Sequence, residues 1–449
     1  MNFKRIRLRL SSSQVIILGF MCVILMGSLL LSLPFATQSG ESAGFLDALF
    51  TATSSVCVTG LVVHNTATYW SAFGQAVILM LIQIGGMGVV TVAVTVTMIS
   101  GRKIGLMQRS TMQEAISAHH VGGIVKMTGF ILKTTLLIEL IGAALLSIVF
   151  CRDFGPLRGV WYGLFHAISA FCNAGFDLLG IEESYASLTA YVSQPLVTIV
   201  IMLLIIIGGI GFLTWEDVRT HRLHLHAYRM QSKVILASAL VLIALPTAYL
   251  YFFEFSGGAW AGKSVGERLL AATFQAVTPR TAGFNTVDLT QLSETGQSVL
   301  ILLMLVGGAP GSTAGGMKTT TAAVLLLSTL ALFRRRETIR CFGRRIDERV
   351  VRDAVAILLM YLVLFIFGAL VISRIEDLPM LTCMFETASA IGTVGLTLGI
   401  TPGLGVASRL ILIALMFIGR VGGLTLIFAA ISGAQHYAAR LPREKITVG

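Results

Sequence analysis

Phe165-His166-Ala167-Ile168-Ser169-Ala170-Phe171-Cys172-Asn173-Ala174-Gly175-Phe176 is a stretch too short to cross a bilayer and too apolar to lie in water. It has relatives elsewhere in the chain. Phe50-Thr51-Ala52-Thr53-Ser54-Ser55-Val56-Cys57-Val58-Thr59-Gly60-Leu61 shares its Phe, Ala, Ser, Cys and Gly in register. Phe385-Glu386-Thr387-Ala388-Ser389-Ala390-Ile391-Gly392-Thr393-Val394-Gly395-Leu396 keeps Phe, Ser and Gly. A further copy, Phe274-Gln275-Ala276-Val277-Thr278-Pro279-Arg280-Thr281-Ala282-Gly283-Phe284, is one residue shorter between its aromatic and its glycine. The four glycines are separated by 115, 108 and 112 residues, so the chain is built on a period of about 112.

A second marker follows each copy: Ile84-Gly85-Gly86-Met87-Gly88, Ile207-Gly208-Gly209-Ile210-Gly211, Val306-Gly307-Gly308-Ala309-Pro310-Gly311 and Ile418-Gly419-Arg420-Val421-Gly422-Gly423. Glycine is common in membrane helices because it permits close packing. Two glycine markers kept in order four times argue for more than that.

Of the 449 residues, 55% are hydrophobic and 12% charged, about half the charge of an ordinary soluble domain. Apolar runs such as Val15–Leu33, 19 residues or about 28 Å as a helix, match the hydrocarbon thickness of a bilayer. The basic start followed by that run has the look of a secretory signal, but the run is long for one and belongs to the first repeat. Six scattered cysteines form no CxxC pair or metal-ligand spacing.

The net charge of +11 does not point to nucleic acid, because 23 of the 33 Lys and Arg fall in segments 1–14, 100–128, 214–233, 333–353 and 436–449. The positive-inside rule makes these segments cytoplasmic, both termini included, with two spans between each successive pair. The expected fold is an all-α integral membrane protein of four concatenated helix–re-entrant loop–helix repeats. That gives eight transmembrane helices and four pore helices around one central pore. The repeats run over 1–105, 106–228, 229–345 and 346–449.

Unpaired carbonyls at membrane depth are tolerated where protein covers them or where they line a water-filled cavity. A cation lane is such a cavity, and rings of backbone carbonyls can replace a cation's hydration shell. Glycine suits this because it accepts φ > 0. The segments Val58-Thr59-Gly60, Asn173-Ala174-Gly175, Thr281-Ala282-Gly283 and Thr393-Val394-Gly395 have small neighbours that let four backbones converge. Four segments in one chain make one complete ring. Asp177 and Glu182 near its outer mouth either concentrate cations or serve as solvated loop charge.

These segments resemble the four filter motifs of the Trk/Ktr/HKT superfamily, closest to the membrane subunits of bacterial Ktr systems of the KtrB/KtrD type, over essentially the whole chain. The resemblance implies K⁺ uptake across the cytoplasmic membrane, with Na⁺ stimulating or permeating. It also implies a homodimer seated on a cytosolic ring of nucleotide-binding regulatory (RCK) subunits. In that superfamily glycine in all four segments accompanies K⁺ permeation, and serine in the first accompanies Na⁺ selectivity.

The second span of the third repeat is interrupted by Gly307-Gly308-Ala309-Pro310-Gly311-Ser312-Thr313-Ala314-Gly315-Gly316-Met317-Lys318, where a regular helix would bear heavy glycine and proline penalties. Gly311 to Lys318 brushes against a phosphate-binding loop, but the lysine is one position late and no parallel sheet accompanies it, so no nucleotide is expected on this chain. The resemblance implies an intramembrane gate there; a plain packing kink is the alternative. Arg420 stands where the other repeats have uncharged residues, and a charge at membrane depth is a functional candidate. Its expected partners are the loop's carbonyls or an inward-facing acid. Lys318 faces the same choice or reaches inner water. Arg280, inside the third segment, is expected behind it, braced by an acid such as Glu386. Lys133 and Glu139 are candidates for dimer or interhelix contacts.

Two rival functions fit parts of the same pattern. A secondary transporter also uses broken helices at midplane, but parallel fourfold repetition favours a pore. An enzyme is disfavoured: His221, His224 and His226 lack an HExxH spacing, and no nucleophile has a base. The stretch from Arg334-Arg335-Arg336 through Arg352 and the C-terminal tail are candidates for docking a regulator.

Overall fold

The structure, a computed structural model, describes residues 11–100, 105–116, 123–181, 184–423 and 425–426. Parts of the first two basic segments, Glu182 and the whole of the last basic segment in the C-terminal tail lie outside these described residues. The first helix, α1 (Ser12–Leu31), begins at a capping box in which Ser11 and Gln14 satisfy each other's backbone amides. A short helix α2 (Phe45–Val56) comes next and leads into the first glycine segment. The one-turn α3 (Thr66–Tyr69) returns the chain to α4 (Ala72–Met87) and α5 (Val89–Ile99), and α6 (Leu106–Ala115) closes the series.

The pattern is restated by α7 (Ile124–Phe154), α8 (Pro156–Phe171), α9 (Pro195–Gly209) and α10 (Phe212–His221). Then come α11 (Met230–Tyr249), whose last turns widen to Glu254, α12 (Val265–Val277), α13 (Glu294–Met304) and α14 (Thr319–Phe333). A two-stranded hairpin of β1 (Arg340–Cys341) and β2 (Arg344–Arg345) joins these to α15 (Glu348–Glu376), α16 (Met380–Gly392) and α17 (Val406–Val421).

Among the described residues, α1, α7, α11 with its extension and α15 are each long and apolar enough to cross a bilayer. The pairs α4–α5 and α9–α10 would add two more spans if each counts as one. The outer faces of these helices are strongly apolar: Leu29 on α1, Leu140 on α7, Leu240 on α11 and Val363 on α15 are more than half exposed. A soluble protein rarely leaves so much apolar surface open, whereas lipid would cover it.

The sequence reading placed a helix break only in the third repeat. The structure also breaks the second helix of the first and second repeats, which turn by 95° and 96°. Gly88 and Gly211, with φ of 84° and 89°, make those corners because a residue in that region cannot continue a right-handed helix. Gly422 ends α17 with φ 89° in the same way. In the third repeat the break is longest, occupying 305–318 between α13 and α14.

Candidate functional site

The four short helices α2, α8, α12 and α16 end just before the four glycine segments, and the phenylalanine that opens each motif, Phe50, Phe165, Phe274 and Phe385, is fully buried. Two residues before each glycine the chain turns left-handed at a non-glycine residue: Val58, Asn173, Thr281 and Thr393 have φ of 50°, 57°, 73° and 51°. Gly60, Gly175, Gly283 and Gly395 follow at 92°, 70°, 81° and 94°. Four recurrences of so uncommon a backbone show that the motifs share a conformation as well as composition.

The segments close into a ring. A Cβ on Gly60 would lie 2.5 Å from the Ala174 carbonyl oxygen, and one on Gly175 would lie 2.6 Å from that of Ala282. One on Gly283 would lie 2.3 Å from the Val394 oxygen, and one on Gly395 would lie 2.2 Å from the Thr59 oxygen, which completes the circuit. No residue but glycine fits any of these places without displacing a neighbouring backbone.

A hydroxyl four residues after each phenylalanine pins its segment. Ser54 and Ser389 accept the amides of Gly60 and Gly395 at 3.1 and 3.0 Å. Ser169 and Thr278 instead donate to the carbonyls of Phe176 and Phe284 at 2.7 and 2.5 Å. The missing residue of the third copy is absorbed between hydroxyl and glycine: the amides of Thr59, Ala174 and Val394 bond five residues back at 2.8 Å, whereas that of Ala282 bonds four back at 2.9 Å. Sequence reasoning noted the serines in register and gave them no role. Their fixed offset from the phenylalanine was the available signal.

Three of the second glycine markers pack against the C-terminal ends of the short helices. Gly85, Gly208 and Gly419 press against the carbonyls of Val56, Phe171 and Ile391, where a Cβ would come within 2.0–2.2 Å. Close packing is therefore the direct role of these three glycines, the reading the sequence had set aside as insufficient by itself.

The third repeat supplies 305–318 instead, and this loop is tied on several sides. Its amides at Ala309, Thr313 and Gly316 bond the carbonyls of Gly209, Gly208 and Gly419 at 2.9, 3.2 and 3.1 Å. Thr313 donates to the Phe171 carbonyl at 3.0 Å and accepts from the Asn173 amide at 2.8 Å. Gly311 and Gly316 take φ of 62° and 64°, and Gly315 lies against the Thr393 side chain.

Arg420 completes this inner layer. Its guanidinium donates to the carbonyls of Thr313 and Gly85, and to that of Gly86 at 3.3 Å. Of the partners expected for it, the carbonyls are observed; they come from the loop and from the first repeat. Lys318 donates to the Ala314 carbonyl at 2.8 Å, folding back on the loop it ends while lining a cavity of about 290 Å³ below it.

Arg280 is buried but is not braced by Glu386. Glu386 accepts hydrogen bonds from Thr397, at 2.7 Å, and Thr401, so its oxygens are already engaged beside its own segment. Glu139 on α7 does make an interhelix contact, to Gln83 of α4 at 3.2 Å, whereas Lys133 is exposed.

Asp177 lies just outside the ring, where its carboxylate accepts the Leu179 amide at 3.0 Å beside a small cavity that also borders Gly60 and Gly175. Burial pushes its carboxyl up to about 6, against the pull of the Leu179 and Gly180 amides. At the seam between first and fourth repeats, Asp47 at the start of α2 holds Arg409 of α17 at 2.7 Å and His64 at 2.8 Å. The Asp47–Arg409 contact leaves no local pattern to read, because the two residues lie 362 positions apart.

A family model described as TrkH, cation transport protein, matches residues 11–436. The chain belongs to this TrkH family. Among its relatives, the potassium/sodium uptake protein NtpJ of Enterococcus hirae is 40% identical over 452 residues, covering 99% of each chain. The Ktr system potassium uptake protein B of Bacillus subtilis is 41% identical over 422 residues, covering 94% of this chain and 93% of its own. The crystal structure of the potassium transporter TrkH from Vibrio parahaemolyticus superposes with a TM-score of 0.71 over 95% of this chain and 86% of that one. At 20% identity that likeness carries the fold alone. This TrkH-family chain is accordingly a membrane cation transporter.

Proposed function

We propose that this protein is the pore-forming subunit of a bacterial K⁺ uptake system, with eight membrane spans and four pore helices surrounding one lane within each subunit. The observation that carries the reading is the closed circuit of Gly60, Gly175, Gly283 and Gly395 against one another's neighbouring carbonyls. Backbone carbonyls so arranged would replace part of a cation's hydration shell. The C-terminal ends of α2, α8, α12 and α16 lead into the circuit, so their negative dipole ends favour a cation there. K⁺ as the permeant ion is supported by glycine at all four positions and by the names of the relatives.

In this reading the strap formed by 305–318 and Arg420 is the gate, because it lies directly inside the ring and is bonded to parts of every repeat. The Ktr-system name of the Bacillus relative, which implies partner subunits, supports a cytosolic nucleotide-binding regulatory subunit as partner, and the subunit is proposed to work as a homodimer in the cytoplasmic membrane with both termini inside. The printed name of the Enterococcus relative favours a second reading, in which Na⁺ is also carried or is coupled to K⁺. Growth of a K⁺-uptake-deficient bacterium at limiting K⁺, with and without a candidate regulatory subunit, tests the first. A fixed Na⁺:K⁺ stoichiometry at slow turnover would establish the second in its place.

A further inference from the structure

The segment joining α14 to α15 together with the start of α15 carries eight arginines and no lysine between positions 334 and 352, against three acids. Membrane orientation needs positive charge but does not distinguish lysine from arginine. Recognition of phosphate does, because the guanidinium fork can hold two oxygens at once. All eight arginines are exposed, and the only ion pair among them in the described residues is Arg345 with Glu348 at 3.8 Å.

The hairpin places these charges in an arrangement that its own residues do not balance. Pairing of β1 with β2 sets Arg340 directly opposite Arg345, and the Ile346 amide extends the ladder to the Ile339 carbonyl at 3.0 Å. Like charges facing each other across two strands destabilise them unless an anion lies between or beside them. Phe342 and Gly343 form the turn with φ of 47° and 75°, and Phe342 is 54% exposed at its tip.

The surroundings indicate what kind of anion. α14 runs away from the inner strap for 15 residues, about 22 Å, and ends with Leu332 and Phe333 exposed at 73% and 78%. On α15, Val355 and Leu359 are exposed at 42% and 58% just beyond the hairpin. Apolar faces open to lipid tails thus lead up to the arginines on both helices, which brings the hairpin to headgroup level. We infer that segment 334–352 with its hairpin is a binding site for anionic phospholipid headgroups, with Phe342 seated in the interface, Arg340 and Arg345 holding a phosphate on one face of the hairpin and Arg344 serving a second headgroup on the other.

The test uses the full-length protein in neutral phosphatidylcholine micelles, titrated with phosphatidylglycerol, with bound lipid counted by native mass spectrometry and the thermal midpoint followed. Wild type should retain phosphatidylglycerol and gain thermal stability. R340Q/R344Q/R345Q, which keeps five arginines to preserve orientation, should need at least about tenfold more lipid for the same effect. R340K/R344K/R345K should fall between the two. Equal retention by wild type and the Gln variant would overturn the inference, as would equal stabilisation by inorganic phosphate alone. Loss of regulatory-subunit binding by the Gln variant with lipid retention unchanged would assign the surface to that protein and overturn it too. None of these readouts depends on ion transport, so they stand apart from the pore reading.

Discussion

At residue scale, a few buried groups hold a strained backbone in place. Ser54 and Ser389 each satisfy a glycine amide that would otherwise be buried without a partner. Removing one such bond costs about 1 kcal/mol or more, so Ser54→Ala should lower discrimination between Rb⁺ and Na⁺ uptake several-fold while leaving membrane expression unchanged. Competitive uptake assays check it. Asp177 offers a titration. With its carboxyl pushed up to about 6, the charge is present above that pH and lost below it, the direction expected of an acid disfavoured by burial. If that charge draws cations to the mouth, uptake at subsaturating K⁺ should fall as external pH drops through about 6, and Asp177→Asn should flatten the profile at the lower level.

At the scale of elements, the three glycine corners at Gly88, Gly211 and Gly422 and the strap are what would convert a bundle of helices into a controlled lane under the proposed function. Arg420 bonds carbonyls from two repeats, and a lysine cannot hold both as the planar guanidinium does. Arg420→Gln and a shortening of Gly311 to Gly316 should both raise basal flux through a folded protein; lower or equal flux would mean that the strap only packs. The repeats were legible because the conformation demands the residue: a phenylalanine to bury, a hydroxyl four later and a glycine at positive φ leave a signature in composition. The corners at Gly88 and Gly211 were not read. The flanking helices are uniformly apolar, and a glycine inside such a run does not reveal by itself whether it packs or bends.

At the scale of the whole molecule, the seams between repeats were invisible in the sequence. Asp47 meets Arg409 and Arg420 meets Gly85 across more than three hundred residues, and such contacts follow from closing the circle rather than from any local pattern. Of the acids expected to brace Arg280, Glu386 instead accepts from two hydroxyls of its own repeat, Thr397 and Thr401, a local competition that the sequence does not reveal. Because the Asp47–Arg409 pair is largely shielded, Asp47→Asn and Arg409→Gln should each cost about 1 kcal/mol of stability and the double variant little more, a coupling that a double-mutant cycle of thermal midpoints reads out.

The central claim is that one ring of four glycines selects the ion. Its most direct test is the ratio of Rb⁺ to Na⁺ uptake by Gly60→Ser beside wild type in a K⁺-uptake-deficient bacterium at matched membrane levels. A side chain at Gly60 must take φ near 92° and sit against the Ala174 carbonyl. Strain of about 1–2 kcal/mol confined to one quarter of the ring should lower that ratio by about tenfold. A folded, membrane-inserted Gly60→Ser protein with the wild-type ratio would contradict it.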